Sequence, residues 1–343
     1  MKVKCLVISS AVLLCAGFLS LAHAASPGRF INVSTSGEMF LNYMLNISGE
    51  ESDGETTYPN EFGVERVYIN FKSNLSDQVA ARFTTDVDSG IVDGKGYSIR
   101  VKYAYADFSD IIPMTTITLG LQGNLWTGMV DNAWGYRVVS KSLFDQYKVL
   151  ASADLGLGAT VSIPEGYGEI VLQALNGGGY KQLETNTTKA LAARLLVTPM
   201  PQDDMLKGLG VAGFAYVDKD DGDNSMTRFG GMLKFSYQVV NLVGEFGVSQ
   251  DGADEINGMG FAVATEVKAP VKEGPMKNLA LIGRLDRWDK NTDKDDDEVL
   301  RVIAGVSYEI AKGVKAIATL QHVDDKGKDE SEQTIVAQAY IKF

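Results

Sequence analysis

Ten basic residues fall on alternate positions of strand-like segments: Arg66, Lys72, Arg82, Arg100, Lys102, Arg194, Arg228, Lys234, Arg284 and Arg301. Apolar residues occupy the opposite parity, as Val67, Ile69 and Phe71 do beside Arg66, Tyr68, Asn70 and Lys72. Successive side chains of a strand point to opposite faces, so each such segment sorts its cations to one face and its apolar groups to the other. A row of cations along a water-filled wall can do electrostatic work: it can sort ions by sign. The plainer outcome is pairing with acids of the same parity, such as Asp86, Glu245, Glu266 and Asp286, which merely fills an interior. The selective reading attaches to Arg66, Arg82, Arg100 and Lys102, because three consecutive segments concentrate them.

Three other constellations invite chemistry. The stretch 124–147 is the longest irregular one, and it carries Trp126, Asp131, Trp134, Arg137, Lys141 and Asp145. One long stretch of this kind can fold inward and narrow a passage; the plainer outcome is an ordinary surface loop. His322 lies near Asp324 and Asp325, which would suit a hydrolase, but no Ser is positioned with it and a place on the rim is the simpler reading. The acidic run 218–223 places its Gly wrongly for a twelve-residue calcium loop, and no Glu closes it. It reads as a solvated loop, so no metal and no cofactor is expected.

The elements that must position these residues are strands. The last stretch, 334–343, alternates Phe343, Ile341, Ala339, Ala337 and Ile335 with Lys342, Tyr340, Gln338, Val336 and Thr334. About ten residues, tilted near ~45°, cross the hydrocarbon of a membrane. The same alternation recurs over 37–48, 62–73, 78–88, 99–108, 115–123, 148–163, 168–176 and 189–198. It continues over 208–217, 226–237, 242–249, 258–268, 278–288, 298–310 and 314–323. With the terminal segment the count is sixteen, an even number, as single-chain bacterial barrels require. The fold class is therefore all-β, a transmembrane antiparallel β-barrel in one domain, 25–343. The closing residues Tyr340, Ile341 and Phe343 resemble the C-terminal signal of bacterial outer-membrane β-barrels. That resemblance implies recognition by the barrel-assembly machinery.

The N-terminus agrees. Lys2 and Lys4 precede an apolar run to Leu21, and Ala22-His23-Ala24 forms an A-x-A cleavage site. Sequencing of outer-membrane material should find a chain that starts at Ala25; a chain starting at Met1 or lipidated at Cys15 would overturn the assignment. Loss of residues 1–24 takes both cysteines, Cys5 and Cys15, and moves the net charge from −12 to −14. Such acidity excludes nucleic acid as a partner. With the N-terminus inside, acidic runs such as Asp293, Asp295, Asp296 and Asp297 fall on outer connections, and short turns with Asn74, Pro113 or Pro164 fall on periplasmic ones. Phe71, Tyr105, Phe235, Tyr237, Tyr308 and Phe343 would form an aromatic girdle at the periplasmic interface.

Gly135-Tyr136-Arg137, then Ser152-Ala153-Asp154, and the run from Leu175-Asn176-Gly177 to Arg194 and Pro199 resemble phosphate-selective and related porins. The 124–147 stretch follows the fifth strand, where general porins carry a constriction loop. The acidic constriction motif of general porins is absent. The resemblance implies a Gram-negative outer-membrane channel for ions and small hydrophilic solutes, in contact with outer-membrane lipid and lipopolysaccharide, and a homotrimer. A modest anion preference is expected from the basic wall. The rival from another class is a structural or adhesive barrel with a closed lumen, and a hydrolase using His322 is a distant third.

Overall fold

The computed structural model describes residues 32–52, 55–88, 96–184, 186–219, 222, 224–252, 256–328 and 330–343. The expected leader, residues 1–24, lies outside these, as do residues 220, 221 and 223 of the acidic run. The strands in chain order are β1 (Val33–Asn46), β2 (Glu50–Ser52), β3 (Glu55–Thr57), β4 (Asn60–Asn74), β5 (Val79–Asp88), β6 (Ser98–Ser109) and β7 (Thr115–Gly123). Then come β8 (Ala153–Ile163), β9 (Gly168–Leu175), β10 (Ala190–Val197), β11 (Gly210–Lys219), β12 (Ser225–Tyr237) and β13 (Val240–Asp251). The last are β14 (Ile256–Lys268), β15 (Leu279–Asp289), β16 (Val299–Ala311), β17 (Val314–Asp325) and β18 (Glu330–Lys342). β2 and β3 form a separate two-stranded ribbon; the other sixteen form one closed barrel, each paired antiparallel with its neighbours.

Closure is made by β18 against β1, in register from Glu38 with Lys342 to Asn46 with Thr334. A closed sheet leaves no row of unpaired backbone groups, which hydrocarbon could not satisfy. The alternation read from sequence sets the faces. In β11, Ala212, Phe214, Tyr216 and Asp218 are buried inside, while Val211 and Val217 are exposed outside. Leu191, Leu195, Phe229, Leu233, Phe246, Leu281 and Leu320 continue an exposed apolar jacket around the barrel. No helix among the described residues is long and apolar enough to cross a membrane; strands do the crossing.

Two expectations need correction. The sixth strand starts at Ala153, not at 148, because the Val149 and Leu150 amides donate to the Phe144 carbonyl and extend the preceding loop. Tyr105 does not join the outer girdle. The β5–β6 register shifts between Thr84 and Thr85, which leaves Lys102 as an extra residue between paired Val101 and Tyr103. A bulge of one residue reverses the parity beyond it. Val101 therefore stays outside, while Lys102, Tyr103 and Tyr105 all turn inward; Tyr105 lies opposite Arg82. A second shift, between Phe40 and Leu41 in the β1–β4 pair, leaves Glu65 as an extra residue, so that it joins Arg66 on the inner face where Arg66 was expected.

Candidate functional site

The segment between β7 and β8 folds into the barrel. Asn124 accepts the Trp126 and Thr127 amides on Oδ1 at 2.9 and 2.8 Å, and so starts the helix Thr127–Trp134. Gly135, at φ 82°, ends it and donates its N–H to the Asp131 carbonyl. A residue with a β-carbon adopts that left-handed conformation at a cost, so Gly is the usual terminator.

The loop is fastened to the far wall by groups remote in sequence. Trp126 Nε1 and the Leu143 amide donate to the two oxygens of Glu245, each at 2.7 Å. The Tyr136 hydroxyl donates to Glu266 at 2.6 Å, and Asn241 Nδ2 donates to the Ala133 carbonyl at 2.9 Å. Trp126 stacks on Phe214 with centroids 4.3 Å apart. Phe144 fills a seat made by two glycines: a β-carbon on Gly247 would stand 2.5 Å from the Phe144 ring, and one on Gly230 would stand 3.0 Å from it. Across the lumen, Gln338 Nε2 donates to the Val138 carbonyl, so the loop also touches the closing strand.

Within the loop, Arg137 pairs with Asp131 at 2.9 Å and with Asp145 at 3.2 Å. Asp131 also accepts the Ser142 amide at 2.6 Å. Burial pushes the Asp131 carboxyl up from its usual range, against the pull of Arg137, and pushes the Lys141 ammonium down. Trp126, Asp131 and Trp134 are thus buried fasteners, while Lys141 borders open space.

The loop divides that space. At the end carrying the longer connections lies a cavity of ≈ 750 Å³, bordered by Asn42, Glu65, Ser140, Lys141, Arg301 and Gln338. At the end carrying the short turns lies one of ≈ 410 Å³, bordered by Lys72, Arg82, Lys102, Tyr103, Asp131 and Arg137. No residue borders both. Between them the Arg137 guanidinium lies 6.0 Å from the Tyr68 ring on the near wall, and Val138 and Val139 belong to the buried apolar cluster that includes Phe40.

The ten basic residues separate into two sets. Arg194, Arg228 and Arg284 are buried beneath the loop rather than along the divided passage. Arg194 donates to the Leu125 carbonyl and pairs with Glu169, and Arg228 pairs with Asp251 while donating to the Val149 carbonyl. Arg284 pairs with Asp286 at 2.7 Å and lies over Trp134 at 5.0 Å. Lys234 borders a third cavity with Arg194 and Glu169. On the near wall, Arg66 pairs with Asp86 at 2.8 Å, and Arg100 faces Asp86 in register. Arg82 bonds neutral Asn70 and Thr84 and lies 4.6 Å over Tyr103. Lys102 donates to the Ser152 hydroxyl, and Arg301 donates to Gln321 at 2.6 Å.

Sequence reasoning missed Glu65, Tyr103 and Tyr180. The first two are turned inward by bulges, which an alternation count cannot see. Tyr180 reaches in from the connection after β9, donates to Asp86 at 3.1 Å and lies under Lys102, 3.9 Å from Nζ. His322 pairs with Val302 on the outer face, and its Nδ1 has no hydrogen-bond partner among the described protein groups.

Neither a family model nor a curated protein matches the sequence. Solved structures do match in shape. An anion-selective porin from Comamonas acidovorans superposes with TM-score 0.64 at 10% identity, over 92% of this chain and 100% of that one. The fold is that of the outer-membrane porins. The outer-membrane channel DcaP of Acinetobacter baumannii matches with TM-score 0.63 at 14% identity, over 91% and 97% of the chains. OprB of Pseudomonas putida matches with TM-score 0.64 at 11% identity, over 91% and 94%.

Proposed function

We propose that the protein is a Gram-negative outer-membrane porin that lets ions and small hydrophilic solutes diffuse through a water-filled lumen, with a modest preference for anions. The observation that carries this reading is a closed barrel, apolar outside, whose polar interior is narrowed but not filled by the inward loop. No reaction is catalysed. His322 lies on the outer face opposite Val302, away from the lumen, which does not favour the hydrolase reading. The barrel meets lipid and lipopolysaccharide along its sides and rim and is inserted by the barrel-assembly machinery. A homotrimer is the favoured assembly, as in the trimer form of Vibrio cholerae OmpT, a protein of similar fold (TM-score 0.57, 14% identity).

The anion preference rests on Arg82, which bonds only neutral groups, on Arg100, which faces Asp86 in register, and on Lys141, which borders the larger cavity. A charge in a narrow passage acts more strongly than one at a mouth, where salt screens over ~8 Å. The zero-current potential across a KCl gradient should therefore have the sign of an anion-preferring channel. Arg82→Glu with Arg100→Glu should reverse that sign. Because burial lowers the Lys141 pKa, its charge is lost at a lower pH than an ordinary lysine's, so the preference should weaken as pH rises. Clear cation selectivity in the wild type, or a double mutant with an unmoved potential, would sink the wall as filter.

One observation favours the closed-lumen alternative: Gln338 bridges the lumen to Val138, and the two cavities share no lining residue. Single-channel recording decides between them, since a sealed barrel gives no steps.

A further inference from the structure

The two chambers carry opposite fixed charge. In the chamber at the longer connections, Glu61, Glu65 and Glu332 outnumber Lys141 and Arg301. Above it, the described part of the rim adds Asp293, Asp295, Asp296, Asp297 and Asp324 against Lys294, while Lys290, Lys326 and Lys328 are paired with Asp325 or Glu298. In the chamber at the short turns, Arg137 is matched by Asp131 and Lys342 by Glu38. Lys72 and Arg82 border the same space and form no ion pair with a carboxylate among the described residues. The sign changes at the loop segment that separates the chambers.

We infer that the protein is a rectifying channel: it passes more current when the end with the longer connections is electrically positive. This rests on the channel reading above. In a passage about as wide as the Debye length, ~8 Å at physiological salt, wall charge sets the mobile ion content. The acidic chamber fills with cations and the basic chamber with anions. With the acidic end positive, cations enter through the acidic chamber and anions through the basic one. Both accumulate at the loop and conductance rises. With the polarity reversed, both are drawn away from the loop and the junction is depleted. A net-charge account of the lumen would predict selectivity alone; the axial order of the charges is what adds direction.

The test is single-channel recording in planar bilayers with equal KCl on both sides. Orientation is assigned with D293C, whose thiol would be the only one in residues 25–343, by a membrane-impermeant thiol reagent added to one side. In ~0.1 M KCl, where screening acts over ~10 Å, the currents at opposite polarities should differ by ~1.5-fold or more, larger with the acidic end positive. In ~1 M KCl, where screening acts over ~3 Å, the ratio should approach one. Lys72→Gln with Arg82→Gln should lower the ratio at low salt. The salt series needs no variant, so a misfolded double mutant leaves the proposal exposed. A linear current–voltage relation at low salt, the opposite polarity, or a ratio that survives high salt would each overturn rectification while leaving the channel in place. Absence of any conductance would overturn the channel reading and the rectifier with it.

Discussion

Glu245→Ala should unfasten the inward loop and raise single-channel conductance about twofold, with open-channel noise that the wild type lacks. Glu245 accepts from both Trp126 Nε1 and the Leu143 amide, and its side chain is buried. Hydrogen bonds to a charged group contribute roughly 1.5–3 kcal/mol each, so losing two removes on the order of 3–6 kcal/mol from the seated state. At about 1.4 kcal/mol per tenfold, that is enough to populate unseated loops. The barrel should survive, because its strand pairing does not pass through the loop. A second variant reaches the same end by a different route. Gly247→Leu places a side chain where the Phe144 ring sits, and the backbone there cannot give way without breaking ladder bonds. Both proteins should show the larger, noisier steps, and protease should cut near Phe144 and Tyr147. If both keep wild-type conductance, the loop does not set the narrowest point of the passage.

Gly37→Val should abolish the assembled barrel as completely as deletion of Phe343 does. The chain's last residue closes the seam: Gly37 donates to the Phe343 carbonyl at 2.8 Å, and Phe343 donates back at 3.0 Å. The Phe343 ring lies across Gly37, so a β-carbon there would meet Cε2 at 2.8 Å and the Tyr68 carbonyl at 2.8 Å. Losing this pair opens two strand edges toward lipid, where each unsatisfied backbone group costs several kcal/mol. Ile341→Asp should impair assembly more mildly, since an acid near an interface costs less than a cation at the midplane. Heat-modifiable mobility on gels, read from membrane fractions, measures the outcome. Normal amounts of folded Gly37→Val would show that the ring contact at the seam is dispensable.

The seam also marks the division between local and long-range information. Strand positions, their even number and their inward faces follow from side-chain alternation, which is a local property of the extended backbone. The segment 334–343 is enough to predict a membrane-spanning terminal strand, and β18 indeed closes on β1. The loop's aromatics and charges were visible too, as Trp126, Trp134 and Arg137. Their roles were not visible, because Trp126 meets Glu245 from 119 residues away. Likewise Arg194, Arg228 and Arg284 share a parity with Arg82, yet whether a lumen-facing cation borders the passage or lies under the loop depends on which wall the loop covers. The two bulges were also beyond reach. Register belongs to a pair of strands, and the polar and apolar residue types alternate on through Val101, Lys102 and Tyr103 although the faces they occupy reverse there. Sequence therefore determined the barrel and the side of the sheet on which most charges lie. Tertiary structure alone decided where the passage narrows, which cations remain without a carboxylate, and the axial order of the charges.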